Sequence, residues 1–366
     1  MLPAWVILAS FLYAAILFAI AWVGDRHPLY TQRPWLRPTV YSLALAVYCS
    51  SWTFYGAVGS AVRYGWGYLP IYLGPFLMLM FGWRLIERLA LVAQSQNTVS
   101  IADFMASRYG RSQRLAGLVA LIAVIAGVPY LALQYKAVTL SLTVLTGKEI
   151  QATIFGDPAL YVAIIMALFS ILFGTRQVDA TEHRPGLMLA VAFESLIKLI
   201  ALIAVGFFAL IWANKNQLDV YGAVQTLVEQ ASPVGYLGQT LLAFTAIICL
   251  PRQFHVAIVE CGDVVDVRRA RWLFGFYLVI VSLMVLPIAA VGVHLFGDKA
   301  GVPADSFVLA LPLSQNQMTL ALAAYIGGFS AATGMVIVTS VALSTMVSND
   351  LIMPLLLRRG WAQQPQ

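Results

Sequence analysis

The sequence predicts an all-α, polytopic membrane protein, and three observations carry that prediction. Hydrophobic residues make up 61% of the 366 positions and charged residues only 10%, whereas a soluble domain needs about 25% charged residues to solvate its surface. Apolar runs long enough to cross a bilayer recur about nine times. Basic residues fall almost entirely on alternate connections between those runs. A soluble protein with one very large core is excluded by the charge count.

The nine runs occupy about 4–24, 39–61, 68–93, 114–145, 159–174, 186–212, 237–258, 272–296 and 318–347. The first has no lysine or arginine before it and is followed by Asp25-Arg26, so it reads as an anchor rather than a cleaved leader. With the N-terminus outside, sixteen arginines lie on the inner connections and tail, against Arg63, Lys148, Lys215 and Lys299 outside. That bias sets the orientation of a multi-pass protein, with its N-terminus outside and its tail cytoplasmic. The net charge of +6 therefore reports topology, not nucleic-acid binding. The polar stretch 95–112 predicts a short interfacial helix capped by Ser100.

The three cysteines, Cys49, Cys249 and Cys261, lie in or beside apolar segments and have no zinc or disulfide spacing. They read as small buried hydrophobes. No catalytic metal, nucleotide loop or Ser-His-Asp order is present, and His27, His183, His255 and His294 are scattered. The chain is not expected to be an enzyme.

Polar groups inside hydrocarbon are costly and each needs a reason. In the second run, Cys49-Ser50-Ser51-Trp52-Thr53-Phe54-Tyr55-Gly56 predicts a helix that unwinds and bares carbonyls. In the seventh, Pro251 breaks the ladder, and Arg252 and His255 stand three apart on one helical face. Five spans separate the two breaks, the relation that inverted-repeat carriers use to build a midplane site. The sixth run carries Glu194 and Lys198, about 6 Å apart along one face. Two isolated charges there would cost on the order of 5–7 kcal/mol, so an ion pair or a proton relay is expected. Lys136, in the long fourth run, is a third intramembrane charge and a candidate partner for Glu194.

Four stretches resemble the sodium:solute symporter family, whose members have the LeuT-type five-plus-five inverted repeat behind one extra helix. They are SSWTFYGAVGSAVRYGWGYLPIYLGP, SIADFMASRYG, FGTRQVDATEHRPG and SAATGMVIVTSVALSTMVSNDL. WTFYG, PYLALQYKA, DATEHRPG, AFESLIKL and LPRQFHVAIVE resemble one branch most, the transporter-like input domains of bacterial sensor histidine kinases that regulate carbon and nitrogen use. The resemblance implies an anchor helix and first loop over 1–38, a first repeat over 39–212, and a second repeat over 213–366 that stops after its third helix. It implies a LeuT-like repeat truncated after the eighth core helix, with two core helices and a kinase beyond.

The family's second sodium site uses two carbonyls that fall on Ala46 and Cys49. Its paired hydroxyls fall on Gly334 and Met335, which offer no side-chain oxygen; Ser330, Thr333, Thr339 and Ser340 stand nearby in a shifted register. A sodium cofactor is thus poorly supported and a coupling proton is expected instead. Some proton-coupled proteins of this fold place a lysine where sodium would sit, and Lys198 could do so. The acidic residue entering the fifth core helix would be Glu182, or the position falls on His183 under a different gap. For the solute, Arg252 would hold a carboxylate, and Trp52 and Tyr55 would stack on a ring or cover an amine. Ser50, Ser51, Tyr130, Gln134 and Gln253 would add polar contacts. The expected function is a sensor and transporter domain for a small nutrient, with an amino acid as the expected solute. Its expected partners are the lipid bilayer, its own C-terminal kinase region and a response regulator, with no nucleic acid. The alternatives are a sodium-coupled symporter for an amino acid or short carboxylate, and a module that only relays occupancy.

Overall fold

The computed structural model describes residues 4–28, 30–147, 158–174, 184–229, 235–297 and 301–358. All regular structure among them is helical. Five helices are long and apolar enough to cross a membrane, and a bent pair, Tyr236–Cys249 with Pro251–Val259, makes a sixth. Shorter apolar helices cover Pro70–Phe81, Leu160–Leu172 and Ala304–Ser314. The protein is a multi-pass membrane protein.

Helix α1 (Ala4–Arg26) is the N-terminal span. The second apolar run is not one helix. It comprises α2 (Leu36–Leu45), a 3-10 turn at Ala46–Tyr48, extended backbone at Cys49, a π turn at Trp52–Gly56, and α3 (Ala57–Tyr64). The third run is also divided, at Gly82, into α4 (Pro70–Phe81) and α5 (Trp83–Gln96). The short helix α6 (Ile101–Arg108) follows. Ser100 Oγ accepts from Asp103 N (3.1 Å) and Asp103 Oδ2 accepts from Val99 N (3.2 Å), a reciprocal cap. The long span α7 (Gln113–Thr146) runs unbroken through Pro129 for about 50 Å.

Helix α8 (Pro158–Phe169) leads into a π turn, and Pro185 opens α9 (Pro185–Lys215), which carries Glu194 and Lys198. After α10 (Val220–Glu229), the broken span is α11 (Tyr236–Cys249), one extended residue at Leu250, α12 (Pro251–Phe254) and a π turn at His255–Val259. Its two arms meet at 51°. Pro251 has no N–H to continue the ladder, so the helix must restart there. Next come α13 (Val264–Phe296), capped by Asp263, then α14 (Phe307–Ser314), α15 (Met318–Met346) and α16 (Met353–Arg358).

Helix α15 is the hub. Of its most apolar stretch 89% is buried, against 17% for α7, which therefore lies at the periphery. α15 packs on α9, α7 and α14. The small residues Ser330, Ala331, Ala332 and Thr333 let its neighbours approach closely. Another close pair is α4 with α11: a Cβ on Gly74 would stand 2.6 Å from the Thr240 carbonyl oxygen and 2.5 Å from the Phe244 nitrogen. At one end of the bundle, Arg37 of α2 bridges Asp263 (2.6 Å) and Asp266 of α13.

Candidate functional site

Unwinding α2 at Ala46–Ser51 bares backbone groups that hydrocarbon cannot solvate, each costing several kcal/mol if left alone. Side chains from other helices take them up. Lys198 Nζ of α9 donates to Ala46 O (2.6 Å) and to Cys49 O (2.7 Å). Ser51 N and Oγ both donate to Gln134 Oε1 of α7, at 3.2 and 2.8 Å. Gln253 Nε2 of α12 donates to Leu45 O at 3.4 Å, which ties the two broken segments together. Tyr72 Oη donates to Thr53 O (2.8 Å).

One turn back along α9, Glu194 is fully enclosed. Thr333 Oγ1 of α15 donates to its Oε1 (2.6 Å), and Ser330 Oγ donates to its backbone carbonyl (2.7 Å). A Cβ on Gly334 would lie 2.6 Å from Glu194 Oε2, so glycine at this position makes room for the carboxylate. Glu194 and Lys198 share a face but form no ion pair: the lysine turns to α2 and the carboxylate to α15.

Beside the breaks lies a cavity of about 990 Å³, bounded by α3, α4, α7, the α11–α12 break and α15. Ser50, Trp52, Tyr130 and Arg252 line it. Ser50 Oγ and Tyr130 Oη are 3.0 Å apart, and the Arg252 guanidinium lies 4.8 Å above the Tyr130 ring. Arg252 is 6% exposed, its Nε has no hydrogen-bond partner, and no carboxylate among the described residues pairs with it. A buried, unpaired guanidinium on a cavity wall is a seat for an anion.

The expected solute residues therefore divide. Ser50, Trp52, Tyr130 and Arg252 face the cavity, whereas Ser51, Gln134 and Gln253 brace the unwound backbone behind its wall. Tyr55 also turns away, its ring packed on Gly328 of α15 and edge-on to Phe54. The reason is local: the π turn at Trp52–Gly56 widens the helix, so neighbours in sequence point to different helices. Ser330 and Thr333 serve Glu194 rather than the Ala46 and Cys49 carbonyls. Glu182 lies outside the described residues.

Three further expectations change. Lys136 is exposed rather than buried and does not meet Glu194. It stands ten residues from the end of α7, about 15 Å along the axis, where its long stem can carry the ammonium toward the interface. Cys249 is exposed and lines the cavity, although Cys49 and Cys261 are buried. His255 does not share the surroundings of Arg252, because the α-helical geometry ends at Phe254. It joins a buried cluster instead: Glu260 Oε1 lies 3.3 Å from His255 Nε2 and 3.4 Å from Arg184 Nη1, and Arg184 N donates to Glu260 Oε2 (2.9 Å). Nothing in the spacing of Arg184 and Glu260 announced that cluster, since 76 residues separate them.

No protein-family model matches the sequence, and no curated protein matches it. Among solved structures, the chain is similar to a sodium-coupled sialic acid symporter in its substrate-bound, outward-open state. The TM-score is 0.66 at 13% identity, over 99% of this chain and 76% of that one. At that identity the likeness is one of fold. The chain has the all-helical fold of that symporter over nearly its whole length.

Proposed function

We propose that this protein is a carrier-type binding module for a small solute bearing a carboxylate, most simply an amino acid. It would work in a bacterial inner membrane with its N-terminus on the periplasmic side. The observation that carries the reading is Arg252, buried in the cavity wall without a carboxylate partner among the described residues. Tyr130 and Trp52 offer faces for a ring or an ammonium, and Ser50 offers a hydroxyl.

Lys198 supports coupling to a proton rather than to sodium. Its ammonium occupies the Ala46 and Cys49 carbonyls, so a sodium ion there would meet a positive charge at contact distance. Gly334 and Met335 add no side-chain oxygen, and the nearby hydroxyls of Ser330 and Thr333 are engaged by Glu194. Sodium does not fit this donor set. Loss of the Lys198 proton would remove the charge that strengthens its two bonds to these carbonyls and so loosen α9 from the broken α2, which is the kind of change a carrier needs to alternate. Occupancy of the cavity is the signal that a C-terminal histidine kinase and its response regulator would read.

The test is uptake by the purified chain in proteoliposomes, with amino acids and short carboxylates offered under separately imposed proton and sodium gradients. Proton-driven uptake of a carboxylate solute that is lost in Arg252→Ala is expected. Uptake driven by sodium alone would overturn the coupling, and equal uptake by Arg252→Ala would overturn the site. Sequencing the gene beyond the Gln366 codon tests the sensor assignment: further helices and a kinase are expected there.

A further inference from the structure

At the end of the bundle that carries the arginine-rich connections, α5 packs against the first turns of α13. Three guanidinium groups surround a single ring there. Arg84, Arg268 and Arg271 place their central carbons 5.3, 5.7 and 4.9 Å from the centroid of Trp83, and Arg271 also lies 5.0 Å from Trp272. Like charges gathered this closely repel one another unless an anion joins them. None of the three is within ion-pair distance of a carboxylate among the described residues. The nearest acids in sequence do not neutralise them: Glu87 forms no ion pair among the described residues, and Asp263 and Asp266 are taken by Arg37. The Arg271 Nε is buried and has no hydrogen-bond partner.

The depth of this cluster is set by its surroundings. α4, wholly apolar in composition, ends at Phe81, and Arg84 and Arg88 follow within two turns on α5. On α13, Arg268 and Arg271 precede the apolar stretch that crosses the membrane. Phe81, Leu85, Trp272 and Phe276 are exposed beside the arginines, at 78, 44, 63 and 65%. Acyl chains would cover those four side chains. Phosphate oxygens would meet the guanidinium forks, which suit them bidentately.

We propose that Trp83, Arg84, Arg268 and Arg271 form a binding site for the phosphate of an anionic phospholipid, with Phe81 and Phe276 against its acyl chains. The site is independent of the solute cavity. It would couple the junction of α4 and α5, and hence the helix that packs on α11, to the charge of the surrounding leaflet.

Native mass spectrometry of the purified full chain, with phosphatidylglycerol or phosphatidylcholine added, tests this. Phosphatidylglycerol is expected to remain bound at least about tenfold better, and the triple variant Arg84→Gln, Arg268→Gln, Arg271→Gln to lose that preference. A control triple at other arginines, Arg26→Gln, Arg33→Gln, Arg108→Gln, is expected to keep it. Equal loss in both triples would mean diffuse attraction and overturn the site. So would release of the lipid by excess inorganic phosphate, which would show a simple anion site without acyl contacts. If the triple does not fold, Arg84→Gln and Arg271→Gln singly are expected to weaken binding several-fold, and unchanged binding in both overturns the proposal.

Discussion

Arg252 has no carboxylate partner among the described residues, and this makes it the most informative side chain to change. Arg252→Ala is expected to weaken a carboxylate ligand by at least about tenfold, measured by calorimetry on the purified protein, because it removes a buried charge from the anion's seat. Lys198 works differently, since its ammonium reaches the Cys49 carbonyl and shares the Ala46 carbonyl with the Cys49 N–H. Lys198→Ala should lower the melting temperature by depriving the unwound segment of this donor, at a cost of about 1–3 kcal/mol, and abolish proton-driven uptake. Normal stability with normal uptake would remove Lys198 from the mechanism. The cysteines give an independent reading of the cavity. Cys249 should react with a maleimide at pH 8 and be protected by bound solute. Burial pushes the Cys261 thiol up to about 12, so its thiolate is scarce at that pH and labelling should begin only in strong alkali. Labelling of Cys261 before Cys249 would contradict the packing.

Among the elements, α9 and α15 are joined through one carboxylate, and Gly334 sets the clearance for it. Gly334→Ala should displace Glu194 and destabilise the protein by about 1–3 kcal/mol, read as a fall in thermal midpoint. Combined with Glu194→Ala, the same glycine change should cost much less, since the contact it violates is gone. Additive effects would mean that the two residues do not touch. The two broken spans were legible because their causes are local: Pro251 cannot donate, and the serines, threonine and glycine clustered at 50–56 make unwinding there less costly. The directions in which their side chains turn were not legible. Tyr55 and His255 both fall on π turns, where a helical wheel assigns faces wrongly.

For the molecule as a whole, the apolar exterior and the buried α15 give a protein that sits in lipid and gathers its polar groups inward. The polar interior is segregated into a cavity with Arg252, a brace of Lys198 on α2, a Glu194 clasp on α15 and an Arg184–His255–Glu260 cluster. If the Lys198 brace is the coupling point, a protonophore should collapse solute accumulation in proteoliposomes while removal of sodium leaves it unchanged. Accumulation that follows sodium would place coupling elsewhere.

Membrane residence, the helical class and the sites of the two breaks follow from the amino acids alone, because hydrophobic length and missing backbone donors act over one span at a time. The pairing of Lys198 with carbonyls about 150 positions away, and of Glu194 with Thr333 rather than with its own helical neighbour, depends on how the spans pack. A buried charge takes whichever partner the packed neighbours bring within hydrogen-bond reach, and no periodicity along one helix contains that choice.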